Sequence, residues 1–162
     1  MLPLIRSILY CTDLSANSAH AARYAACLAR LTMARIHILH VAEKLSSDSM
    51  ITLQSHLVEA DAYVRVMETR LQRSREVLAE RIESFVAGLA EDEREVRHQI
   101  ASVEVCEAFP VEEILQRAER LGVDLIVMGK HQKGLLHTML GSVSKGVLSQ
   151  ARVPVVVVPL PE

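Results

Sequence analysis

The chain has 162 residues, half of them hydrophobic and 23% charged, with a net charge of −2: enough for one α/β domain with a sizeable core, and short for two. Aromatic residues make up only 3%, too few for the stacking platforms that hold single-stranded nucleic acid. The near-neutral charge argues against nucleic acid or an anionic membrane as main partner, and no apolar run approaches the ~20 residues needed to cross a bilayer.

Residues 1–15 (MLPLIRSILYCTDLS) are apolar but interrupted by Arg6 and closed by Asp13, so no signal-peptide pattern is read there. Within them, 5–11 reads as a short strand. Thr12-Asp13-Leu14-Ser15 reads as a turn, with Ser15 a good N-cap for a helix over 16–32. Ala19, Ala22, Ala26 and Ala29 recur at three- and four-residue spacing, and side chains that small let a helix sit close on a sheet. Residues 35–42 (RIHILHVA) form a second strand, apolar at Ile36, Ile38, Leu39 and Val41. Residues 43–50 are a polar loop.

Residues 51–90 contain no proline and one glycine, Gly88. Apolar residues from Leu53 to Leu89 alternate at three and four with one gap, at Ser74. A single helix of about 38 residues would run about 57 Å, longer than a domain of this size is wide. The spacing therefore predicts either two helices broken around 72–74, or one helix whose first half projects toward a partner. Glu91-Asp92-Glu93 reads as a solvated connection, and 96–107 contains a third strand. Pro110 stands near the first position of the next helix, with Glu112 and Glu113 in its first turn and Gly122 past its end.

Residues 123–160 say most about chemistry. An apolar run (Val123, Leu125, Ile126, Val127) stops at Gly129, followed by a polar loop with Lys130, His131, Gln132 and Lys133. Gly141-Ser142 then opens a helix, and Val155 to Val158 form the last strand. A glycine after a buried strand lets backbone approach a ligand, and a Gly-Ser pair at a helix start offers free N–H groups and a hydroxyl to an anion. From Leu125 to Pro161 there is no Asp or Glu, but there are Lys130, Lys133, Lys145 and Arg152. This is a phosphate site in prospect. The succession of strands and helices predicts a parallel sheet with helices on both faces.

The three cysteines, Cys11, Cys27 and Cys106, are odd in number, widely spaced and without a CxxC pair, so reduced thiols and a cytoplasmic location are expected. His37 and His40 fall on opposite faces of their strand. His131 and His137 have no Cys or carboxylate beside them, so no metal site is expected. No Ser-His-Asp set or carboxylate pair can be argued from spacing, and no P-loop motif is present.

Taken in order, these motifs resemble the universal stress protein family: Thr12-Asp13-Leu14-Ser15 after the first strand, Leu39-His40-Val41 closing the second, Pro110 with Glu113-Ile114, Asp124 through Gly129, Gly141-Ser142, and the closing Val153-Pro154 with its valines. The resemblance spans nearly the whole of 1–162, read as one domain in which 43–100 is the variable region. It implies an open five-stranded parallel sheet of order 3-2-1-4-5, of nucleotide-binding type, with the ligand where the strand order reverses between strands 1 and 4. It places Thr12, Asp13, Val41, Met128, Gly129, Lys130, Gln132, Gly141, Ser142, Val143 and Ser144 at a nucleotide. Asp13 would meet ribose or adenine, and the Val41 backbone would meet adenine. Gly129 would approach ribose and phosphates, while Ser142, Val143 and Ser144 would give hydroxyl and N–H groups to the phosphates. Read from the residues alone, Asp13 is equally a turn-forming Asx residue, Ser142 a helix cap, and Lys130 and Lys133 solvated charges.

The implied ligand is ATP, or ADP or AMP in its place, with or without magnesium. The implied role is a cytoplasmic stress-response regulator acting on an unidentified protein partner, not an enzyme beyond slow ATP hydrolysis. The family pattern is broken at Gln132, which stands in place of a second glycine and is separated from Gly141 by only eight residues. Gly129-Lys130-His131-Gln132 resembles a branch that forms nucleotide-free dimeric scaffolds, the competing reading. Residues 154–159, bounded by Pro154 and Pro159, would form an edge strand through which two copies pair.

Overall fold

The buried, β-branched runs fold as five strands: β1 (Ser7–Cys11), β2 (Arg35–Glu43), β3 (Ile100–Ala108), β4 (Leu125–Gly129) and β5 (Val155–Val158). They lie parallel in one sheet of order β3-β2-β1-β4-β5, the expected order. Helices α1 (Ser18–Thr32), α2 (Ala60–Ala87), α3 (Pro110–Leu121) and α4 (Ser142–Gln150) cover it, and a 3-10 helix spans Glu91–Gln99. The structure, a computed structural model, describes residues 2–15, 18–44, 60–130 and 140–159.

The period of two along each strand sorts the core into two layers. Ile8, Tyr10, Ile36, Ile38 and Val127 face α1 and the second half of α2. Leu9, Cys11, Leu39, Ile126 and Met128 face α3 and Val147 of α4. Gly122 ends α3 in the left-handed region at φ +60°, as expected of a glycine C-cap.

Several expectations need correcting. The alanine stripe that meets the sheet is Ala21, Ala25, Ala26 and Ala29, while Ala19 is exposed. Alanine occurs on several faces of α1, so composition alone could not phase it. The expected helix start at 16 falls on residues outside those described; the described helix begins at Ser18. The connection at 91–93 is exposed at Glu91 and Asp92, as expected, and takes the form of the start of the 3-10 helix. Buried Val96 pins that helix to the core, and Arg30 pairs with Glu93 at 3.1 Å.

Of the two alternatives for the long helical segment, the described residues take the single helix. Helix α2 runs unbroken through 72–74, and its 28 residues make a rod of about 42 Å. Its second half packs Leu78, Ile82 and Phe85 against the α1 layer. The gap in the apolar stripe at Ser74 is not a break: there the helix faces an open cavity, where a polar side chain is wanted. Residues 51–59 of that segment lie outside the described residues.

Candidate functional site

Strands β1 and β4 are neighbours, but their crossovers leave on opposite faces, so the chain diverges beyond their carboxyl ends. A cavity of about 750 Å³ opens there, within the usual range of small-molecule sites. Its floor is the ends of β1, β2 and β4. Its walls come from the loop after β1, the start of α3, the start of α4 and the middle of α2.

The loop after β1 is tightly specified. Thr12 donates its N–H to the Leu39 carbonyl at 3.0 Å, and its Oγ1 accepts the Leu14 N–H at 3.1 Å. Asp13 is exposed, and its Oδ1 accepts the Ser15 N–H at 2.9 Å, an Asx turn. Leu14 sits at φ +57°, a region that non-glycine residues avoid. Arg81 of α2 donates to the Ser15 carbonyl, and Tyr10 donates its hydroxyl to the Ser18 carbonyl at 2.8 Å.

At the end of β2, Val41 is half-buried and lines the cavity beside His40 and Glu43. At the end of β4, Met128 is buried, Gly129 lines the wall, and Lys130 donates its N–H to the Val158 carbonyl at 2.8 Å. Helix α4 starts after Gly141, its N-cap, and has no acidic residue in its first turn. The amides of Ser142, Val143 and Ser144 precede the first intrahelical bond, from the Lys145 N–H to the Gly141 carbonyl, and so carry the positive end of the helix dipole. The Ser144 hydroxyl, 1% exposed, donates to the Gly129 carbonyl at 3.3 Å and ties α4 to β4. Ser142 is the exposed hydroxyl of the pair.

All the expected site residues except Gln132 therefore line one cavity. Gln132, with His131, Lys133 and His137, lies outside the described residues. Sequence reasoning missed Arg70 and Ser74, which line the wall from α2, one turn apart. The gap at Ser74 in an otherwise regular apolar stripe was their only signal. It also passed over His40, whose Nδ1–H donates to the Thr12 carbonyl at 2.8 Å.

The cavity has no activated nucleophile among its described residues. Burial pushes the Cys11 thiol up to about 12, so it stays protonated. Burial also raises the Tyr10 hydroxyl and lowers the His40 imidazole. Among the described residues no three His, Cys, Asp or Glu side chains gather where a metal ion could be held, and no helix is long and apolar enough to cross a membrane.

Comparison with known proteins places this architecture. The family model described as "Universal stress protein family" matches residues 5–159. Universal stress protein MJ0577 of Methanocaldococcus jannaschii is 27% identical over 161 residues, covering 98% of this chain and 97% of that one. Its solved structure superposes with a TM-score of 0.62 over 99% of both chains at 24% identity. Universal stress protein G of Shigella flexneri is 31% identical over 123 residues, 76% of each chain. A universal stress protein solved in complex with cAMP shares the fold at a TM-score of 0.58 and 20% identity, over 96% of this chain and 98% of that one. The chain belongs to the universal stress protein family.

Proposed function

We propose that this protein binds an adenine nucleotide, ATP or its ADP or AMP counterpart, in the cavity beyond β1 and β4, and acts as a regulator through that bound state. The observation that carries the reading is the acid-free amino end of α4. It faces the same cavity as the ends of β1, β2 and β4, and combines amides, the Ser142 hydroxyl and the nearby Lys130. Such an end suits phosphate oxygens. In this reading Ser142, Val143 and Ser144 hold phosphates through their amides, with Gly141 and Gly129 leaving backbone room. Asp13 and Thr12 meet the ribose side, and Val41 and Met128 pack the adenine. The cAMP-bound fold neighbour supports an adenine nucleotide as the class.

The protein is a binder in this reading and not an enzyme. The buried Cys11 thiol stays protonated, and any ATP turnover is expected well below the usual enzyme range of about 1 s⁻¹ and above. Two copies pair along β5, one of the two edge strands of the sheet. The competing reading, a scaffold without nucleotide, rests on Gly129-Lys130-His131-Gln132 in the sequence. Native mass spectrometry of freshly purified protein separates the two, because a co-purifying nucleotide adds its own mass. Calorimetry with ATP is expected to give a micromolar-range dissociation constant. No heat at high micromolar protein would discard the nucleotide reading in favour of the scaffold.

A further inference from the structure

Thr12 opens the loop after β1 with every polar group engaged, and two of its partners lie on β2. Its N–H goes to Leu39 O at 3.0 Å, its carbonyl receives His40 Nδ1 at 2.8 Å, and its Oγ1 serves Leu14 N–H. A carbonyl only accepts, so the His40 proton is on Nδ1 and the tautomer is settled. His40 is 9% exposed, at the end of β2 and in the cavity lining. The groups facing it are the Thr12 carbonyl, Asp13 in the loop and Arg70 from α2.

The loop it touches is one that needs holding. Leu14 is at φ +57°, and such a conformation persists only when the surroundings over-determine it. Arg81 fixes the far end of the turn at the Ser15 carbonyl. His40 fixes the near end.

We propose that His40 is a positioning residue for the nucleotide: by donating Nδ1–H to the Thr12 carbonyl it holds the 12–15 loop, and with it Asp13, in the conformation that receives the ligand. This rests on the nucleotide reading above, but the loop-holding part stands without it. Burial keeps the ring neutral near neutral pH, so the effect depends on a donor in the right place and not on charge. Asparagine puts an amide nitrogen about where Nδ1 stands, and glutamine puts one about where Nε2 stands.

The test uses the full chain with His40→Asn, His40→Gln and His40→Phe. It has two readouts: ATP affinity by calorimetry, and hydrogen exchange of the Leu14 and Ser15 amides without ATP. Phe and Gln are expected to weaken ATP binding about five- to tenfold, the size one hydrogen bond supplies, and to speed exchange at both amides. Asn is expected to restore both readouts to near wild type. Wild-type affinity and exchange in His40→Phe, or an Asn variant no better than the Gln one, would overturn the proposal. Should Phe prevent folding, the Asn and Gln pair decides alone. Should the wild type bind no ATP, the nucleotide reading falls, and the exchange comparison still decides what His40 does.

Discussion

Gly146 of α4 lies hard against Val111 of α3: a Cβ placed on Gly146 would stand 2.7 Å from Val111 Cγ2 and 3.2 Å from Cγ1. Valine is stiff at χ1 and cannot swing both methyls away. The contact sets how closely α4 approaches α3, and so where the amino end of α4 sits. Gly146→Ala gains up to about 1 kcal/mol of helix propensity but overpacks the contact, which costs about 1–3 kcal/mol. A lower urea midpoint is expected, recovered in part by adding Val111→Ala. A midpoint at or above wild type for the single variant would contradict the close contact.

Gly141 offers the opposite test. As N-cap it sits at φ −62° and ψ 157°, a conformation open to any residue, and a carboxylate near a helix amino end is favourable by about 0.3–1 kcal/mol. Gly141→Glu is therefore expected to leave the thermal midpoint close to wild type while abolishing ATP binding, because the new charge occupies the place proposed for phosphate. Retained affinity in a folded variant would move the phosphates elsewhere in the cavity.

The buried His40 and the half-buried His37 give stability a pH dependence. Burial lowers both His37 and His40 below the ordinary value, about 6.5 in an unfolded chain. As pH falls below that value the unfolded chain takes up protons before the folded one does, so folding loses ground. The contribution is whole above about pH 6.5 and shrinks on acidification. Urea midpoints from pH 8 to 5.5 are expected to be flat above about 6.5 and to fall below it, with a shallower fall in His40→Asn. An identical fall in that variant would assign the loss to other groups.

The edge strand β5 can be probed without touching the core. Its side chains are not bare: Val156 and Val158 pack on the α1 layer, Val155 and Val157 on the α3 layer. A charge at Val156 or Val157 would therefore damage packing as well as pairing. The carbonyls of Pro154 and Val158 accept from Ile126 and Lys130 of the β4 side, so the N–H and C=O of Val155 and Val157 point to the open edge. Val157→Pro removes one outward donor and spares the ladder to β4. The wild type is expected to sediment as a dimer of its 18.0 kDa chain and the proline variant as a folded monomer. A monomeric wild type across a broad concentration range would discard pairing through β5.

The sheet was legible because its information is local. Strand identity shows in short β-branched runs, and the order follows from the family resemblance. The described part of the cavity was legible where a glycine or serine stands directly at an element's end, as at Gly129, Gly141 and Ser142. What stayed hidden depends on distance along the chain. Arg70 and Ser74 reach the cavity only because α2 continues straight past the strand ends, and an apolar pattern with a gap reads equally as a break. His40 looked like an ordinary strand histidine until β1 was placed beside β2, which brings the Thr12 carbonyl to its ring. Asp13 supports two readings still, since its Oδ1 serves the Ser15 amide whichever one holds.

The unbroken course of α2 makes it a lever. Its second half is clamped on the sheet by Leu78, Ile82 and Phe85, and the cavity touches it at Arg70 and Ser74. From Ser74 to the helix start at Ala60 is about 21 Å of rigid rod. A tilt of about 5° at the cavity wall would carry that end roughly 2 Å, by the same helical rise. A hinge at 72–74 would have absorbed such a tilt beside the cavity. With no hinge there, a tilt at the wall would move the Ala60 end further than the wall itself.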